Sequence, residues 1–227
     1  ATTTLHVLSN VTGVLKPGSV SLLLSPPGGG KTSFLKALGQ RFVESQLSGR
    51  VTYSGLTPTE AASRGIYLKQ VLQYVDQLDQ HLPQLTVRET LEFAHRNGTV
   101  EPTVVGVPEL VTSAARKVDD VVQLLSLQTC INTPVGDEML RGVSGGEKKR
   151  VTIGESMVTN ARVWLMDEIS TGLDSAVTYD IVSGIRAWAK ATRGTVVIAL
   201  LQPTPEVFGL FDDVILLREG AVVYHGP

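Results

Sequence analysis

The sequence predicts an α/β fold: a mainly parallel sheet with helices on both faces, an antiparallel β piece near the N-terminus and a helical subdomain set into the middle. Three observations carry that prediction. Residues 19–38 run as apolar strand, proline- and glycine-rich loop and helix. Residues 163–166, 195–201 and 214–217 are short apolar runs, and an amphipathic stretch at 175–190 separates the first two. Such alternation builds parallel sheets covered on both sides. From about residue 86 to residue 160 the apolar positions switch to helical spacing.

Each element follows from local chemistry. Lys16, Pro17 and Gly18 form a turn, residues 19–24 a strand, and residues 31–38 a helix. Residues 51–53 and 73–76 read as short strands, with turns at Gly55, Pro58 and Gly65 around a short polar helix. Thr86 and Glu89 have capping-box spacing, in which hydroxyl and carboxylate satisfy the free N–H groups that open a helix. Val118, Val121, Val122, Leu124 and Leu125 form the apolar face of another helix, after a loop at 98–108. Glu219 and Gly220 join the last two strands as a hairpin. Lys148, Lys149 and Arg150 read as a solvated helix face, and Cys130 as a small core hydrophobe. The chain thus divides into a core, about 1–81 and 161–227, and a helical subdomain, about 82–160.

Composition narrows the function classes. At 227 residues, 42% of them hydrophobic, the chain buries a sizeable core without staples. A net charge of -2 leaves no electrostatic footprint for nucleic acid, so no nucleic-acid partner is expected. One cysteine excludes a disulfide framework and points to a reducing compartment. No apolar run approaches the ~20 residues that span a bilayer. The abrupt start at Ala1 and the stop at Pro227, directly after a strand-like run, read as a piece of something longer.

The loop after the first strand reads Ser25, Pro26, Pro27, Gly28, Gly29, Gly30, Lys31, Thr32, with Ser33 following in the helix. It matches the phosphate-loop pattern G-x-x-x-x-G-K-[ST], except that Ser25 replaces the first glycine. Small residues let successive backbone N–H groups close around phosphate oxygens at a positive helix end. Lys31 suits the β- and γ-phosphates of ATP, and Thr32 suits Mg²⁺. Ser25 is tolerable where its φ is negative.

The run Val163, Trp164, Leu165, Met166, Asp167, Glu168 is an apolar strand that ends in two carboxylates. Beside a phosphate loop, Asp167 can serve the Mg²⁺ shell and Glu168 can polarise the attacking water, two roles that phosphoryl transfer to water requires. Ahead of that strand, Ser144 and Glu147 again have capping-box spacing, with Gly145 and Gly146 keeping the first helical N–H groups accessible.

The run Val143, Ser144, Gly145, Gly146, Glu147, between those two motifs, resembles the signature motif of ATP-binding-cassette (ABC) proteins. The resemblance covers essentially the whole chain. Within it, residues 135–155, 166–175 and 200–226 look like the first nucleotide-binding domain of full-size pleiotropic-drug-resistance transporters, in the plant-like G subfamily. It implies that Gln77 is the Q-loop glutamine, contacting Mg²⁺ and the attacking water and relaying nucleotide state to a transmembrane partner. It implies that the run from Ser170 to Asp174 is the D-loop, so that Asp174 lies at a dimer interface. It also implies a head-to-tail pair with a second homologous domain, each ATP lying between one phosphate loop and the other signature helix. Closure of the pair would drive transmembrane domains that export amphipathic small molecules or lipids, from the cytosolic face of a membrane, by expectation the plasma membrane.

One departure bears on activity. The family's switch histidine should stand one residue before Gln202, and that residue is Leu201. His81, His95 and His225 read as surface or packing histidines, and His6 is a weak candidate for stacking on adenine. Two rivals follow: a regulatory module that holds ATP with little hydrolysis, which Leu201 favours and Glu168 opposes, and a soluble ABC ATPase acting on ribosomes or DNA, which should carry coiled-coil or basic insertions.

Overall fold

The computed structural model describes residues 6–42, 47–98 and 109–227, with side chains from 117 onward in the last stretch. In chain order the elements are β1 (Val20–Leu24), α1 (Lys31–Leu38), α2 (Pro58–Ser63), α3 (Leu68–Val71), β2 (Leu72–Val75), α4 (Val87–Gly98), α5 (Glu109–Leu124), α6 (Gly145–Met157), β3 (Val163–Asp167), α7 (Ser175–Thr192), β4 (Thr195–Ala199), α8 (Pro205–Phe208), β5 (Asp213–Arg218) and β6 (Ala221–Gly226). The strands form one sheet in the order β2-β3-β4-β1-β5-β6, parallel throughout except for the β5–β6 hairpin.

Period-two alternation sorts the strand side chains between two cores. Val20, Leu22, Trp164, Met166, Val196 and Ile198 face the helical side, where α7 contributes Ile181, Val182 and Ile185. Leu23, Leu165, Val197 and Ala199 face the other side, under Phe34 and Leu35 of α1. Full burial of each such aliphatic side chain contributes about 1.5–3 kcal/mol. Trp164 and Trp188 stack at 3.5 Å between ring centroids, pinning α7 to β3.

Helices α4, α5 and α6 extend the first core through Leu91, Val118, Val121, Val122, Leu125, Val151, Ile153 and Met157. Their close approach depends on Gly154, where a Cβ would lie 2.8 Å from Leu91 and 3.1 Å from Leu125. Leu124, expected on the apolar face, is exposed. Cys130 is buried as expected, and burial, first among its surroundings, pushes its thiol up to about 11.

Three sequence expectations change. Residues 51–53 make no strand: Ser54 and Gly55, both at positive φ, close a tight turn that leaves only an antiparallel bridge between Tyr53 and Leu56. Among the described residues the antiparallel component is therefore β5–β6, at the C-terminal edge of the sheet rather than near the N-terminus. The Lys148–Arg150 run is not a solvated face, since Lys149 is buried in an ion pair with Asp79. The expected loop at 98–108 lies, beyond Gly98, outside the described residues.

Candidate functional site

Sheet register brings the motifs together. Val75 pairs with Met166, Asp167 with Ala199, and Ala199 with Leu23, so β2, β3, β4 and β1 all end at one level of one edge. Gln77, Glu168, Leu201 and the loop from Ser25 leave the sheet there, at the carboxyl ends of parallel strands, where open α/β sheets bind ligands.

The loop needs glycine at Gly28 and Gly30, with φ of 74° and 98°. A Cβ on Gly29 would fall on the Ser25 hydroxyl, whose own bond goes to the Pro26 carbonyl. Ser25 is absent from the positive-φ positions, so the serine meets no backbone penalty where the pattern has glycine. Helix α1 then opens at Gly30 with no side-chain cap and no acidic residue in its first turn. Side chains cap α2, α4, α6, α7 and α8. The first turn of α1, with Lys31, Thr32 and Ser33, is thus left to an external acceptor.

Lys31 is 6% exposed, and among the described residues its ammonium donates to the Ser25 carbonyl at 3.2 Å and lies 3.7 Å from Glu168. Charge-assisted bonds are normally about 2.7–2.9 Å, so both contacts are long and leave the buried ammonium short of close partners. An anion placed here would supply one. Glu168 sits at φ 51°, its N–H bonded to the Ala199 carbonyl, and its carboxylate accepts from Gln77 Nε2 at 2.8 Å. Holding a non-glycine residue in that region costs on the order of 1 kcal/mol, strain typical of functional positions. Glu168 thus joins Lys31 and Gln77, residues from separate segments, at one point.

Asp167 is buried, and its two oxygens differ. Tyr74 donates to Oδ2 at 3.1 Å, while among the described residues Oδ1 has no hydrogen-bond partner. Burial, and then the charge of Asp167, pushes the Tyr74 phenol up, so it stays a donor. Arg41 lies 5.5 Å over its ring. A buried carboxylate with one free oxygen, close to an uncapped helix start, fits a divalent cation.

The remaining predicted residues form a second locus. Ser144 accepts from Glu147 N, and Glu147 accepts from Ser144 N at 2.8 Å, completing the cap of α6. These bonds, the Ser144 N–H first, hold the Glu147 carboxyl below its ordinary range. Gly145 opens onto free space, while Gly146 faces Leu173 and the Gly172 carbonyl. Asp174 caps α7 by accepting from Val177 N at 2.7 Å. Among the described residues no hydrogen bond joins this locus directly to the loop at 25–32. His81 and His95 are packing groups: His81 bonds Thr152, and His95 bonds the Val158 carbonyl. Sequence reasoning missed Tyr74 and Asp79. Neither lies in a motif, and only strand register or the buried charge at position 149 reveals them.

A family model described as ABC transporter matches residues 8–171. The chain is 41% identical over 247 residues to ABC transporter G family member 40 of Arabidopsis thaliana, covering 97% of this chain and 17% of that protein. It is 42% identical over 249 residues to Pleiotropic drug resistance protein 1 of Petunia hybrida, covering 98% and 17%. The chain thus spans about a sixth of the length of these relatives. A bacterial ABC transporter cassette solved as a dimer shares the fold with TM-score 0.77 at 20% identity, over 96% of this chain and 89% of that one. A post-hydrolysis state bound to ADP and Pi matches with TM-score 0.73 at 20% identity, over 96% and 89%.

Proposed function

The chain belongs to the ABC transporter family, and from that premise we propose that it is a nucleotide-binding domain that binds and hydrolyses ATP on behalf of a membrane exporter. The observation that carries this reading is the contact of Glu168 with both Lys31 and Gln77 beside an uncapped, glycine-lined helix start. Residues 25–33 cradle the phosphates, and Lys31 exchanges its distant partners for them. A magnesium ion accompanying the nucleotide would be held by Thr32, Asp167 and Gln77, and would supply positive charge to the phosphate oxygens. Glu168 accepts the proton of the attacking water, and Gln77 fixes the carboxylate that does so.

Ser144, Gly145, Gly146 and Asp174 serve a different nucleotide. In this reading they face the phosphate loop of a second homologous domain, so that two sites form head-to-tail between the partners. The helical subdomain at about 82–160 carries the signature, and the core at about 1–81 and 161–227 carries the phosphate loop. Closure drives transmembrane domains that export amphipathic small molecules or lipids, with this domain on the cytosolic face of a plasma membrane. The dimeric cassette among the structural neighbours supports the pairing, and the G family and drug-resistance relatives support the export.

Leu201 favours a second reading, in which this loop holds ATP with little hydrolysis and regulates the partner site. The residue beyond the end of β4 cannot donate a hydrogen bond to phosphate. Single-turnover hydrolysis distinguishes the two. In a hydrolytic site, Glu168→Gln keeps ATP affinity within about twofold and lowers the single-turnover rate by about tenfold or more. An unchanged rate with intact binding would leave only the regulatory reading.

A further inference from the structure

The three consecutive cations of α6 do not share one environment. Lys148 donates to the Gly136 carbonyl at 2.7 Å. Lys149, 2% exposed, turns inward, where its Nζ pairs with Asp79 at 2.8 Å and donates to the main-chain carbonyl of Gln77 at 2.7 Å. The Thr152 hydroxyl donates to the same Asp79 carboxylate at 2.6 Å and meets His81 Nε2 at 2.9 Å. Glu155 lies 3.2 Å from His81 Nδ1. Positions 149 and 152 lie on one stripe of the helix, so α6 is bonded there to the segment from Gln77 to His81.

A buried ion pair rarely stabilises a fold more than an apolar pair of the same size would, and its best-attested use is to fix register. Here the register is that of α6 against the Gln77 segment. Gln77 is held at both ends, its carbonyl by Lys149 and its side-chain amide by Glu168, which faces Lys31. A continuous run of polar contacts therefore links the phosphate loop to the helix that Ser144 opens.

We propose that Lys149 is a positioning residue that, with Asp79, clamps the Gln77 main chain to α6, so that nucleotide at the phosphate loop is sensed at the start of the signature helix in the same chain. The proposal rests on residues 25–32 being the nucleotide site. It assigns to the buried Lys149–Asp79 pair the coupling of the two loci, which belong to opposite sites of a paired assembly.

Hydrogen exchange read by mass spectrometry tests it, on purified protein kept monomeric by dilution, so that no partner's nucleotide covers 144–152, with and without Mg²⁺ and a non-hydrolysable ATP analogue. In the unmodified protein the analogue changes exchange both at 28–36 and at 144–152. In Lys149→Met/Asp79→Leu, which leaves no lone buried charge, the change at 28–36 persists and that at 144–152 falls by more than about threefold. Val151→Ala, a buried truncation on the same helix, loosens α6 without touching the pair and keeps the transmitted change. The proposal is overturned if the double variant still transmits, if Val151→Ala loses transmission equally, or if the unmodified protein responds at 28–36 alone. Absence of any response at 28–36 would instead remove the nucleotide reading beneath it.

Discussion

Beyond the end of β4, Leu200 turns into the core while Leu201 is 52% exposed. The contrast has a chemical consequence, because Glu168 is bonded by its N–H to Ala199 at the end of the same strand. In the proposed chemistry a donor at position 201, two residues beyond Ala199, would serve the phosphate next to Glu168, and an aliphatic side chain supplies none. One preorganised donor is worth on the order of 10²-fold in rate where charge develops. Leu201→His should therefore raise the single-turnover rate by about tenfold or more, with the unfolding midpoint nearly unchanged because the position is exposed. An unaltered rate would show that position 201 does not reach the bound nucleotide. At this scale the motif residues were legible from sequence, Ser25 included, since a serine with negative φ satisfies the loop without glycine. Tyr74 was not, because its role depends on which carboxylate the neighbouring strand places opposite it.

Helix openings separate the two halves of the proposed chemistry. Helix α1 starts uncapped, whereas α6 starts with a complete box between Ser144 and Glu147. Ser144→Ala should cost about 1 kcal/mol in chemical denaturation. Glu147 adds a pH signature. Its folded pKa is lowered from the ordinary 4.5, so its contribution is fully present above that value and is lost as pH falls through the folded pKa. The stability gap between the unmodified protein and Glu147→Gln should thus narrow as acid is added, read by denaturant midpoints across that window. A gap independent of pH would mean that the carboxylate does not act through its charge. Capping boxes at Thr86 and Ser144 were legible because they are local, four-residue patterns. Lys149 was misread because local charge suggests solvent, while its partner Asp79 lies seventy positions earlier in the chain.

Across the whole molecule, a parallel sheet delivers segments distant in sequence to one edge. Apolar runs buried on both faces announced the strands, and their alternation with helices announced the parallel pairing. The order β2-β3-β4-β1-β5-β6 was not legible, because nothing local specifies which buried strand lies beside which. That order sets Asp167 next to Ala199 and Ala199 next to Leu23, and so converts separate motifs into one site. The account's central claim is that this site receives the phosphates of ATP and that Lys31 is its fixed positive charge. Calorimetric titration of Mg-ATP into the purified protein and into Lys31→Ala tests that claim most directly. The account predicts one nucleotide per chain in the unmodified protein, and an affinity at least about tenfold weaker, or ~1.4 kcal/mol, in the variant. Equal affinities at equal stoichiometry would contradict it and move the nucleotide away from the loop at 25–32.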